Sequence, residues 1–267
     1  MPFETVEGRK IFYELTDFSE PWRPGRSPIL FLHGLGGSHR LWLYQVPAFA
    51  GRFPVLTLDL RNHGESTAVH ADFGIADMAL DVARVLRRLG VERVHVVGLS
   101  LGGMVALELA LDFPTTVASL VLADTAAGIP DEWAETARAA LEFIERSSME
   151  EVARERITAA FSRRVDPDLR DYVIGQVASN DKQAYLHAAR AAFRFDARDR
   201  LGELAVPTLV LVGEEDTVTP PVLSEFLAGA IPGARLARLA GCGHITNLED
   251  PGTFNRTLGE FLADAPR

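Results

Sequence analysis

The sequence predicts an α/β fold, a doubly wound and mostly parallel sheet with helices on both faces and a helical insertion. Three observations point to it. Short apolar runs rich in Val, Ile and Leu recur at Ile29–Leu32, Val55–Leu58, 94–97, 120–123 and 207–212. Runs without a polar face suit strands buried between two helical layers. Helical periodicity lies between them, clearest over 75–89, where Ile75, Met78, Val82, Val85, Leu86 and Leu89 recur every three or four residues before Gly90. Strand, helix, strand in sequence implies parallel pairing with right-handed crossovers, and active sites in such sheets lie beyond the carboxyl ends of the strands.

In chain order, Phe3–Val6 and 10–15 flank Glu7-Gly8 and predict an opening hairpin. Residues 94–111 are mostly apolar and just reach the length of a spanning helix. His95, Ser100, Glu108 and the glycines at 98, 102 and 103 divide them into a β-branched run and a helical one, so a strand-turn-helix unit is expected instead. Residues 128–200 break the alternation: they carry no convincing strand, are rich in Ala, Glu and Arg, and hold amphipathic runs at 133–146 and 151–161. Their position after one strand's carboxyl end and before the next strand predicts a helical cap, 128–200, on a core of 1–127 and 201–267. Residues 234–239 are strand-like and close the sheet.

Composition narrows the function. A 267-residue chain buries enough surface to need no disulfide or metal staple, and the single Cys242 forbids an intrachain disulfide. With 27 basic and 37 acidic side chains, a net charge of −10 argues against nucleic acid or an anionic membrane as partner. A small or neutral partner is expected. Residues 1–10 lack the basic start and apolar run of a secretory signal, which predicts a cytoplasmic setting. The histidines are scattered and Cys242 has no Cys-x-x-Cys partner, so neither a metal nor another cofactor is expected. Oligomeric state is not encoded in any feature of this kind.

Chemistry enters at Gly98-Leu99-Ser100-Leu101-Gly102, a Gly-x-Ser-x-Gly sequence directly after a strand and before a helix. The match alone is weak, and its plain alternative is a tight turn with a serine N-cap. In this context, however, the serine sits on a strained turn with its hydroxyl exposed beside a helix N-terminus. A serine hydroxyl is a poor nucleophile at neutral pH, so it requires a base and an acid that orients the base. His244, in Gly241-Cys242-Gly243-His244, and Asp216, after Gly213-Glu214-Glu215, both follow strands, and Ser, Asp, His is the chain order of triads on this architecture. His33 and His63 are rival bases, and Asp124, Glu214 and Glu215 rival acids. Asp216 is favoured because Val218-Thr219-Pro220 supplies a helix-starting turn to hold its carboxylate. The loop His33-Gly34-Leu35-Gly36-Gly37-Ser38 lacks the spacing of a phosphate cradle and is expected to form an oxyanion pocket, with the amides of Leu35 and Leu101 as donors. His33 is expected to brace that loop.

Ser100 on its turn, the His33-Gly34 loop, Asp59-Leu60-Arg61-Asn62-His63-Gly64-Glu65-Ser66, Asp216 and His244 together resemble the α/β-hydrolase family, over about residues 11–262. Gly98 to Met104, Leu122-Ala123-Asp124-Thr125-Ala126 and Val218-Thr219-Pro220-Pro221 are most similar to 3-oxoadipate enol-lactonases and related small carboxylesterases. Asn62 and Cys242 depart from the family, which usually has Gly and a small residue there. The resemblance implies an eight-stranded sheet and hydrolysis of a small-molecule ester or lactone through an acyl-enzyme. A cofactor-free perhydrolase or haloperoxidase, a carbon–carbon bond hydrolase and a ligand receptor with residual turnover are alternatives on the same triad.

An enol-lactone of the family's type carries a carboxylate, for which Arg138, Arg190 and Arg194 are candidate contacts. Evenly spread Arg and Glu on alanine-rich helices otherwise predict a solvated face paired within itself. Trp133 is the candidate substrate-binding aromatic. The segment 128–200 holds twelve bases and fourteen acids, so attraction for an anion must come from individually placed arginines and not from its overall field.

Overall fold

In the computed structural model, which describes residues 3–20, 26–162 and 164–265, the apolar runs pair into one eight-stranded sheet. The strands are β1 (Phe3–Val6), β2 (Arg9–Thr16), β3 (Ile29–Leu32), β4 (Val55–Leu58), β5 (Val94–Leu99), β6 (Val117–Ala123), β7 (Thr208–Gly213) and β8 (Arg235–Leu239), ordered β1-β2-β4-β3-β5-β6-β7-β8. β1 pairs antiparallel with β2, and β2 with β4; the remaining pairs are parallel. Glu7 and Gly8 turn the opening hairpin with φ of 48° and 80°, the two positive values a two-residue turn of matching twist requires. β5 runs two residues past its expected end because its ladder with β6 continues through Gly98↔Leu122 and Leu99↔Ala123.

The helices are α1 (Gln45–Phe49), α2 (Ile75–Arg88), α3 (Leu101–Asp112), α4 (Ala134–Arg146), α5 (Met149–Ala160), α6 (Pro167–Ala178), α7 (Lys182–Phe193), α8 (Pro221–Ala230), α9 (Thr246–Glu249) and α10 (Pro251–Asp264). Alternate strand residues enter two separate cores. Leu30, Leu32, Leu56, Leu58, Val96 and Leu122 meet the apolar faces of α2 and α3 together with Leu227 of α8. Ile29, Phe31, Val55, Val97, Val121 and Leu211 meet Trp42, Phe49 of α1 and Phe254 and Leu258 of α10. Both cores need apolar side chains, which removes the alternation of a one-sided sheet. α3 is buried nearly throughout, which explains the span-like composition of residues 94–111. Among the described residues no helix is long and apolar enough to cross a membrane.

Between β6 and β7 the described residues form α4 to α7 and no strand. Within this segment α5, α6 and α7 each start on a local capping signal. Ser148 and Glu151 form a reciprocal capping box on α5, Asp166 and Pro167 open α6, and the Asp181 carboxylate accepts the Ala184 N–H at 2.8 Å on α7. The two ends of the segment meet, since Gly128 bridges Asp196 and the Ala197 N–H donates to Ala127 O at 2.7 Å.

Candidate active site

The turn that carries Ser100 explains its flanking glycines. Ser100 has φ 53°, rare for a residue with a Cβ, and leaves β5 directly into α3. A Cβ at Gly98 would stand 2.2 Å from Gly102 O, and one at Gly102 would stand 2.1 Å from Leu32 O. Neither position can hold a side chain unless the strand-turn-helix unit opens. The turn is pinned by Ser100 N–H to Ala123 O at 2.9 Å, and by the Thr125 hydroxyl, which donates to Ser100 O at 2.7 Å.

Two loops meet this serine. His244 Nε2 lies 2.9 Å from Ser100 Oγ, and its Nδ1 lies 2.8 Å from Asp216 Oδ2. An ionised carboxylate only accepts, so Nδ1–H donates to Asp216 and Nε2 is left to accept from the serine. Asp216 is held as the sequence suggested: the Val218 and Thr219 amides donate to its Oδ1 at 2.8 and 2.9 Å, and the Thr219 hydroxyl donates to Oδ2 at 2.8 Å. Burial works against ionisation of Asp216, but the His244 ring and the Thr219 donors outweigh it and hold the carboxyl below its usual range. Burial likewise works against protonation of His244; Asp216 outweighs it and raises the imidazole above its ordinary value of 6.5. The His244 backbone N–H donates to Ala160 O at 2.6 Å, so the end of α5 fixes the residue that carries the imidazole.

The loop after β3 closes on the same point. A Cβ at Gly34 would lie 3.3 Å from Ser100 Cβ, and Leu35 and Leu101 line a cavity of about 310 Å³ that contains Ser100. Leu101 is the first residue of α3, where the amide has no partner in the helical ladder. His33 braces the loop: Nδ1–H donates to Gly34 O at 2.8 Å and Nε2 accepts the Leu60 N–H at 3.0 Å. Trp133 lines the same cavity with Met104, Ile129, Phe193 and Leu223.

The rival acids and bases make other contacts. Glu214 and Glu215 are exposed. His63 packs edge-on against His33 and donates Nδ1–H to Arg61 O. Asp124, at φ 46°, accepts from the Gly213 N–H at 3.0 Å and the Thr246 hydroxyl at 2.5 Å, which ties the loops of Asp216 and His244 together. Burial and the nearby Asp216 push its carboxyl up to about 8. Arg138 pairs with Glu135 and Glu142, Arg190 with Glu145 and Arg194 with Asp72 on the surface, so the three arginines follow the solvated-face expectation. Cys242 is a buried filler whose thiol burial pushes up to about 12. Asn62, at φ 69°, occupies a left-handed position that favours glycine, and its side chain spans Val69 O and Ala184 O at 2.9 and 3.0 Å. Among the described residues no group of three or more His, Cys, Asp or Glu could hold a metal ion.

Sequence reasoning missed Arg156 and Gln176, which line the cavities at Ser100 from α5 and α6. No motif marks them; only helix packing brings them there. A hydroxyl in line with a buried imidazole and carboxylate can attack a carbonyl.

Known proteins share this arrangement of elements. The profile of the alpha/beta hydrolase fold family matches residues 27–149 and 174–251. The chain is 30% identical over 243 residues to 3-oxoadipate enol-lactonase 1 of Acinetobacter baylyi, covering 90% of each. It is 35% identical to a putative carbamate hydrolase, RutD, of Variovorax paradoxus, covering 88% of this chain and 91% of that one. The crystal structure of the enol-lactonase from Burkholderia xenovorans LB400 superposes with a TM-score of 0.91 at 28% identity, covering 98% of this chain and 100% of that one. With its fold, its serine turn and these relatives taken together, the chain belongs to the alpha/beta hydrolase fold family.

Proposed function

We propose that this hydrolase cleaves a carboxylic ester or lactone of a small molecule through an acyl-enzyme on Ser100. The observation that carries the proposal is the unbroken line from Ser100 Oγ to His244 at 2.9 Å and from His244 to Asp216 at 2.8 Å. His244 takes the serine proton as Oγ attacks the carbonyl, and Asp216 orients the ring and stabilises its charged form. The Leu35 and Leu101 amides receive the oxyanion. The imidazolium then protonates the leaving alcohol, and water repeats the cycle to release the acid. Helices α4 to α7 act as the cap, with Trp133 as an apolar wall of the substrate cavity. The relatives named for enol-lactone and carbamate hydrolysis support acyl transfer without choosing between the two acyl classes. A panel of p-nitrophenyl esters, lactones and carbamates separates them. S100A is expected to abolish turnover of every member, and a fluorophosphonate is expected to label Ser100 in the parent. Parental turnover in S100A would sink the proposal.

A further inference from the structure

A second cavity, of about 270 Å³, lies at the amino-terminal ends of the strands, away from Ser100 at the carboxyl end of β5. Three neighbouring strands supply it: Arg26 and Ser27 lead into β3, Arg52 and Phe53 lead into β4, and His95 is the second residue of β5. Leu262 at the end of α10 completes the apolar side.

His95 breaks the pattern of its strand. Val94, Val96 and Val97 around it are apolar, and its register partner on β3 is Ile29. It is 3% exposed, and on β6 it faces Ser119, which is fully buried. His95 Nδ1 lies 2.8 Å from Ser119 Oγ, and the serine makes no other side-chain hydrogen bond among the described residues. If Nδ1–H were the donor, the Ser119 O–H would be buried and unpaired; the hydroxyl therefore donates, and the ring proton sits on Nε2. Burial and the Arg93 charge push the imidazole pKa down to about 4, so the ring is neutral near pH 7. Nε2 has no hydrogen-bond partner and is not sealed within the protein, so its N–H opens on the cavity that His95 lines.

Two guanidinium groups add charge to this donor. Arg26 Nη1 donates to Arg52 O at 3.2 Å, and its guanidinium lies 5.1 Å from the centre of the Phe53 ring, which meets His95 edge-on at 6.1 Å. The Arg52 guanidinium lies 5.9 Å from the centre of the Phe49 ring. Neither forms an ion pair among the described residues, whereas Arg9, Arg61, Arg138, Arg190 and Arg200 all do. No Asp or Glu among the described residues lines the cavity. An imidazole N–H and two guanidinium groups offer donors only, so the group that complements them is an oxyanion. Apolar walls and a volume near the lower end of the range for small-molecule sites suit an oxyanion on a short apolar body better than a bare ion.

We propose that this cavity, between the starts of β3, β4 and β5 and the end of α10, binds a small organic oxyanion through Arg26, Arg52 and His95. The ligand is a carboxylate or a phosphate on an aryl or short alkyl group. The site is separate from Ser100 and stands or falls independently of the acyl-transfer reading.

The test is calorimetric titration of the parent with phenyl phosphate, benzoate, benzyl alcohol and inorganic phosphate. Phenyl phosphate or benzoate is expected to bind about tenfold or more tightly than benzyl alcohol and inorganic phosphate, and the tighter of the two identifies the headgroup. Its affinity should weaken about 3- to 10-fold in R26Q and in R52Q, the size of one partly exposed charge-assisted hydrogen bond, and further in R26Q/R52Q, with thermal unfolding as the control for structure. Proton–nitrogen correlation spectra locate the ligand, because saturation should shift the His95 ring signals, which are identified by their loss in H95F. Benzyl alcohol binding as tightly, affinity unchanged in R26Q/R52Q, or His95 signals that do not move at saturation overturns the proposal. Inorganic phosphate binding as tightly as phenyl phosphate indicates an adventitious ion only and overturns it as well.

Discussion

Replacing Asp216 with Asn keeps its volume and tests what its charge does. Asp216 Oδ1 receives two backbone amides, at 2.8 and 2.9 Å, so the Asn carbonyl oxygen takes that place. The amide nitrogen then stands where Oδ2 faced His244 Nδ1 at 2.8 Å. A donor there forces His244 to accept at Nδ1 and carry its proton on Nε2, so Nε2 can no longer take the proton of Ser100. Triads elsewhere lose about 10⁴-fold in kcat by this exchange, or roughly 5 kcal/mol of transition-state stabilisation. The assay is kcat/KM on p-nitrophenyl butyrate at pH 8, with thermal unfolding as a control for structure. A folded D216N that loses less than tenfold would refute the orientation argument and return the role to Asp124.

Three further outcomes follow from the same geometry. His244 must be neutral to accept a proton, and Asp216 raises its pKa above 6.5 against the opposing effect of burial; kcat/KM should therefore rise with pH through a midpoint above 6.5, and a midpoint below that value contradicts the assignment. G102A places a Cβ 2.1 Å from Leu32 O, a backbone atom of β3 that cannot swing aside; a stability loss of about 3 kcal/mol with a larger proportional loss of activity is expected in denaturant melts and rate assays. D81N breaks the buried pair in which Arg61 Nε donates to Asp81 at 2.7 Å; leaving Arg61 buried and unpaired should cost about 3–5 kcal/mol, seen as a Tm lowered by roughly 10 °C.

The sheet and its serine turn were legible because their signals are local. A strand buried on both faces must be apolar at successive positions, as Ile29–Leu32 and Val55–Leu58 are, and both were placed to the residue. Gly98, Ser100 and Gly102 are spaced by the steric needs of one turn. Asp216 and His244 lie in the loops that follow β7 and β8, so sheet order carries them to one edge.

What the sequence by itself determined is therefore the fold, the serine turn and the neighbourhood of Asp216 and His244, since each depends on residues close together in the chain. Tertiary structure alone decided which charges line the cavities at Ser100. Arg154 and Arg156 look alike on one helical pattern, yet one is exposed and the other lines the cavities at Ser100. Asp124 became a tie between loops through Gly213 and Thr246, far along the chain. A helix has one face toward the core, and which side chains occupy it depends on how α5 and α6 settle over the strand ends, a choice made by packing between distant segments.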